Sequence, residues 1–201
     1  MQLLIRTGLT PVQESTRNDL PSVGFAAREC PWPPEAIALS NLFGAVSLFV
    51  ADEIAQAVES VTALGSIAVG ALVSVAHAPG ESIDFLATTL RRSHSTVVRL
   101  VGGLVDQGLI SRAAGVDARV VSLELTRTGK QMVRKALATR AQVLDGLLDK
   151  LDPGERNALE SLSRKLLETN VEDEAHALWI CRLCDGDACD PCPMVAVFGE
   201  D

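Results

Sequence analysis

Residues Glu81 to Lys130 constrain the fold more than any other stretch of this chain. They read ESIDFLATTLRRSHSTVVRLVGGLVDQGLISRAAGVDARVVSLELTRTGK. Ser82 and Ser93 stand just before two apolar-periodic runs, where a serine hydroxyl accepts from the amides that open a helix. The first run buries Phe85, Leu86 and Leu90. In the second, Val97, Val98, Leu100, Val101, Leu104 and Val105 keep the three-and-four spacing of one buried helix face. Gly108 is placed to end that helix in the left-handed conformation. Leu109 to Ser111 and the run VVSLEL flank the turn-rich residues Gly115, Val116, Asp117 and Ala118, which predicts a hairpin, and Thr126 then caps a further helix. Two short capped helices, a hairpin and a helix in that order predict a winged helix-turn-helix, mainly α with a small β wing. Gly102 and Gly103 lie mid-helix, where each costs about 1 kcal/mol relative to alanine. They either admit a close backbone or loosen the helix.

The outer face of the second helix is chemically distinct from its inner one. Ser95, Thr96 and Arg99 point away from the aliphatic side, near the helix start. Short hydroxyls and an arginine in that position suit the major groove of DNA, where hydroxyls meet phosphates or base edges and arginine pairs with guanine. Arg92, Ser93 and His94 extend this set across the turn. Asp117 and Arg119 extend it to the hairpin tip, from which Arg119 would reach a minor groove or backbone.

At these residues the chain resembles the MarR family of bacterial winged-helix regulators. STVVRLVGGLVDQGLISR is similar to the family's recognition helix, and DARVVSLELTRTGK to its wing, with Asp, x, Arg followed by Leu-Thr-x-x-Gly. A helix-turn-helix pattern alone is weak; the wing at the right distance behind it is specific. The resemblance runs less sharply from about residue 35 to residue 171 and leaves out both ends. It implies a bacterial cytoplasmic dimer whose terminal helices pair, setting two recognition helices on a near-palindromic duplex. It also implies control by a small, often aromatic or phenolic effector or by cysteine oxidation, and no enzymatic activity.

A net charge of −8 argues against a nucleic-acid binder until the chain is divided. Residues 84 to 134 hold eight basic and four acidic side chains, a net +4, which leaves −12 elsewhere. A basic lobe on an acidic body orients a protein on DNA. Aromatic residues are only 3% and Tyr is absent, so stacking platforms for single strands are not expected. The apolar runs carry Asp52, Glu53 and Glu59 or stop at Pro79, so no stretch is expected to span a bilayer. Neither does MQLLIRTGLTPVQ have the form of a secretion signal. A cytoplasmic setting follows, in which cysteines are thiols or ligands before they are disulfides.

Three regions are expected: an arm over residues 1–34, a winged helix-turn-helix and dimerisation domain over 35–178 with its DNA-binding lobe at about 65–129, and a cysteine-rich tail over 179–201. The arm is proline-rich without a sustained period, and Trp32 near its end is expected to pack on the first helix; lone Cys30 has no assigned role. Leu39, Leu42, Phe43, Val46, Phe49, Val50, Ile54 and Val58 fit a long amphipathic helix over residues 35–60. A short, nearly all-apolar helix follows from Gly65 to Ala76, with His77 at its end as a surface or capping group. Behind the wing, a long helix carries Val133, Leu137, Leu144, Leu147, Leu148 and Leu151. Asp152, Pro153 and Glu155 then spell a helix start with a capping box, leading through Leu159, Leu162, Leu166, Leu167 and Val171. These stripes exceed what one small winged domain can bury, and the surplus predicts a homodimer.

The tail reads WICRLCDGDACDPCP, with Cys181, Cys184, Cys189 and Cys192 as two C-x-x-C pairs four residues apart. Each such pair can grip one ion with two thiolates, and Gly186 supplies the flexible position that a metal knuckle needs. Four thiolates make a closed tetrahedral set for zinc or, since the gap is short for a zinc ribbon, for an iron-sulfur cluster. A dithiol switch or an unliganded tail stays open, as does His176 in place of one cysteine. Asp185, Asp187 and Asp190 make the tail itself a poor partner for DNA. Two other function classes remain beside the DNA-binding regulator. One is a thiol-redox or metal protein that uses the winged fold as scaffold; the other is a protein-interaction module with no DNA target.

Overall fold

The computed structural model describes residues 34–114, 121–186, 188–189 and 192–194. The arm with Cys30 and Trp32, the hairpin tip with Asp117 and Arg119, and Asp187 and Asp190 lie outside the described residues. Two compact units divide the chain, residues 1–41 and 42–201. In the first, the described residues are the opening turns of α1 (Pro34–Thr62). In the second, α1 continues into α2 (Ser66–His77), α3 (Ile83–Thr89), α4 (His94–Asp106), β1 (Ile110–Ala114), β2 (Val121–Leu125), α5 (Arg127–Leu148), α6 (Pro153–Asn170) and α7 (Glu174–Ile180). This is the expected architecture, mainly α with a two-stranded antiparallel wing.

The core is built around α2. Val69, Ala71, Leu72, Val73 and Val75 are at most 2% exposed, because every face of this helix meets apolar neighbours. Leu86 and Leu90 of the α3 region, Val97, Val101 and Leu104 of α4, and Ile110 and Leu123 of the wing close over it. Ser82 and Ser93 cap α3 and α4 as their positions require, accepting from the Phe85 and Thr96 amides at 3.1 and 3.4 Å. On α4 the buried stripe is narrower than the apolar pattern suggests: Val98 is 37% exposed. Val97, Val101 and Leu104 already fill the face toward α2, and Val98, turned about 100° from Val97 around the helix, falls outside it. Gly102 and Gly103 have nothing within 4 Å of an added Cβ, so no close backbone requires them.

Leu-Thr-x-x-Gly has a mechanical explanation here. The Thr126 hydroxyl donates to the Gly108 carbonyl at 2.7 Å and accepts from the Gly129 amide at 3.0 Å, while the Thr126 amide donates to the Leu109 carbonyl at 3.1 Å. The start of α5 is thereby pinned to the end of α4, where Gly108 (φ +67°) reverses the chain. So tight is this junction that a Cβ on Gly129 would sit 2.0 Å from the Leu109 carbonyl oxygen. The wing pairs from Ile110 with Leu125 to Ala114 with Val121. Its second strand is also tied to the turn before α3, through Gly80 N–H to the Leu123 carbonyl (2.9 Å) and Leu123 N–H to the Glu81 carbonyl (3.0 Å).

The long helices are a different material. α6 has its expected capping box, with Asp152 and Glu155 exchanging bonds at 2.9 Å, yet it buries no residue. Leu159, Leu162 and Leu166 are 43 to 60% exposed, and along α1 Leu42, Phe43, Val46 and Phe49 are 50 to 66% exposed. One sequence expectation needs correction. Ile37–Thr62, at mean hydropathy 1.5, has the length and composition to cross a bilayer, because an 18-residue window of it carries no more than two charged side chains. None of that window is buried in the chain.

Candidate nucleic-acid interface

Between α3 and α4 the chain turns through Arg91, whose φ of +48° is unusual for a side-chain-bearing residue. That turn leads directly into the capped start of α4. Arg92, Ser93, His94, Ser95 and Arg99 are all exposed, so five of the predicted contacts lie on one accessible stretch of turn and helix. Thr96 differs, being half-buried with its hydroxyl 2.8 Å from Ser93 Oγ. That threonine reinforces the cap. His94 Nε2 lies 3.5 Å from Asp84 Oδ1, linking the start of α4 to α3 across the motif, which sequence reasoning missed although both residues are polar and helix-initial. Arg112 on β1 is a further exposed cation at the wing base. What the arrangement offers is a helix N-terminus flanked by two guanidinium groups and short hydroxyls, on a support whose inner side is closed by Val97, Val101 and Leu104.

The cysteine segment is not a separate appendage. The expected tail boundary at residue 179 falls inside α7, a helix not anticipated although Asp173 begins it, accepting from the His176 amide at 2.7 Å. His176 Nδ1 in turn accepts from the Glu172 amide at 3.4 Å. After α7 the chain lies on the helix-turn-helix. Leu183 packs against the main core. The Arg182 stem would contact a Cβ on Gly70 at 3.5 Å, and its guanidinium stacks 3.5 Å over the Trp179 ring. Gly186 sits against His77 at the end of α2, with 3.3 Å between an added Cβ and Nε2.

Cys181 and Cys184 are brought together by a turn, Cys184 N–H to the Cys181 carbonyl at 2.8 Å. Cys192 joins Cys181, Val171, Ala177 and Met194 in a small second apolar cluster, and Cys189 is exposed. All four are free thiols, and among the described residues no three His, Cys, Asp or Glu side chains form a group able to hold a metal ion. The coupling of the two thiols pulls Cys184 down, helped by the Arg140 and Arg182 charges, and pushes Cys181 up along with burial. Cys184 also lines an open cleft of about 610 Å³ between α1, α5 and this segment.

No protein-family model matches the sequence, and no curated protein is similar to it by sequence. Solved structures are. A MarR family protein from Bacillus stearothermophilus superposes with a TM-score of 0.63 at 18% identity, covering 70% of this chain and 99% of that one. MarR from E. coli, without ligand, gives 0.57 at 22%, covering 64% and 96%. A MepR variant from S. aureus bound to an oligodeoxyribonucleotide gives 0.51 at 23%, covering 65% and 96%. At these identities the likeness is one of fold, and the fold of this chain is the MarR-type winged helix.

Proposed function

We propose that this protein is a dimeric, sequence-specific DNA-binding transcriptional regulator rather than an enzyme. On this reading α4 enters the major groove and the wing lies beside the adjacent minor groove. The observation that carries it is the accessible set Arg92, Ser93, His94, Ser95 and Arg99 on a helix whose opposite side is fully buried. The oligodeoxyribonucleotide on the similar MepR variant supports it, as does the +4 charge of residues 84–134. The partner is a second copy of the chain, meeting the apolar faces of α1 and α6, which also gives the hydropathy of α1 a use other than a membrane. Two recognition helices then read half-sites of a near-palindromic duplex about one helical turn apart.

Selection of duplexes from a random pool by the full chain tests the reading, followed by Arg99→Ala on the winning site. Wild-type protein should enrich a near-palindrome. The variant should lose about 1 to 3 kcal/mol on that site, with relaxed preference at one base. A pool that stays random after selection would sink the proposal, and equal losses on selected and random DNA would reduce Arg99 to a phosphate contact.

A further inference from the structure

We propose that Arg182 is a positioning residue that holds the α3–α4 turn, and with it Arg92, from behind the helix-turn-helix. α3 ends at fully buried Leu90, and the chain then turns through Arg91 (φ +48°) into exposed Arg92 and the Ser93 cap of α4. A side-chain-bearing residue in that conformation is strained, and such strain persists only where its flanks are firmly held. The Arg91 and Arg92 amides donate to the Thr88 and Ala87 carbonyls at 3.1 and 3.0 Å, which ties the turn to the end of α3. Whatever fixes Leu90 therefore fixes where Arg92 stands.

Leu90 is fixed at Gly70 of α2. There an added Cβ would lie 3.5 Å from Leu90 Cδ2 and 3.5 Å from Arg182 Cδ, so the bare glycine is where the two side chains converge. The far end of Arg182 is anchored as well. Its guanidinium stacks 3.5 Å over the Trp179 ring, and Nη1 donates to the Trp179 carbonyl at 2.6 Å. Trp179 belongs to α7, which packs on α3, and Leu183 beside the arginine packs against the main core. Arg182 Nε is buried with no hydrogen-bond partner among the described residues. A donor left so costs free energy, so stem packing and the aromatic ring, more than hydrogen bonding, set the place of this side chain. The effect on DNA binding rests on the function proposed above; the hold on the turn does not.

The test compares the full chain with Arg182→Ala and Arg182→Lys, the lysine keeping a long stem and a cation for Trp179. Hydrogen exchange of the Leu90, Arg91 and Arg92 amides is measured, with binding to the selected duplex across a range of salt. In Arg182→Ala those amides should exchange about tenfold faster while α5 and the wing keep their wild-type rates. Duplex affinity should fall about fivefold at an unchanged salt slope, because no phosphate contact is lost. Arg182→Lys should restore most of both. Unchanged exchange at the turn, or a rise spread evenly over α2, α5 and the wing, would overturn the positioning role. A salt slope lower by about 1 would make Arg182 a phosphate contact instead. Wild-type protein that binds no duplex would count against the DNA-binding function, and exchange at the turn would still decide whether Arg182 holds it.

Discussion

The lobe around α2 and the helix α6 draw on the same aliphatic alphabet and end at opposite extremes of burial. Leu72, Leu86, Leu90 and Leu104 are at most 1% exposed, whereas Leu159, Leu162 and Leu166 are 43 to 60% exposed. Both regions are well-formed helix, and α3, α4 and α6 carry side-chain caps. What separates them is tertiary: α2 is surrounded by its own chain, while α6 has one apolar stripe that nothing among the described residues covers. Caps and propensity decide that a helix forms, and the partner decides what its apolar face is for. The lobe is therefore self-sufficient, and the dimer proposed above is what would cover α1 and α6.

That comparison is broken or sharpened most strongly by leucine truncation. Leu72→Ala should lower unfolding stability by about 4 kcal/mol, because α2 cannot collapse onto the void. Leu162→Ala, measured by denaturant titration at concentrations dilute enough to separate chains, should cost less than about 0.5 kcal/mol and should weaken self-association instead. Similar losses at the two sites would erase the distinction. Next comes the α4–α5 junction, where Gly129→Ala drives a methyl into the Leu109 carbonyl and should cost about 3 kcal/mol by the same titration. A near-neutral result would mean that α5 shifts freely on the wing, contrary to the Thr126 bonds. The smallest effect belongs to the exposed helix: Asp152→Ala removes one side of the α6 capping box and should cost about 1 kcal/mol. A loss several times larger would show α6 already packed in the single chain.

What was legible in the sequence was local. Ser82, Ser93, Thr126 and Asp152 cap the helices they precede because a cap is decided within four residues, and the β-prone runs around residues 115–120 pair as written. The exposure of His94, Ser95 and Arg99 on α4 follows from the same periodicity. The misses are those in which a distant segment decides. Val98 looks apolar and core-facing, but α2 has room for only one stripe of α4. Most of all, the cysteine segment read as a separate metal-binding tail, and only the fold packs Leu183 against the core and sets Gly186 on His77. Two C-x-x-C pairs give the same spacing signal whether four thiols converge or two pair alone.

The most direct test of the central claim is native mass spectrometry of the full chain with its selected duplex, joined to a hydroxyl-radical footprint. Two chains per duplex should be seen, protecting two half-sites centred about 10 to 10.5 base pairs apart, with uncovered α1 and α6 surface lost on assembly. A single chain per duplex, or a dimer that leaves every duplex unprotected, would contradict the account.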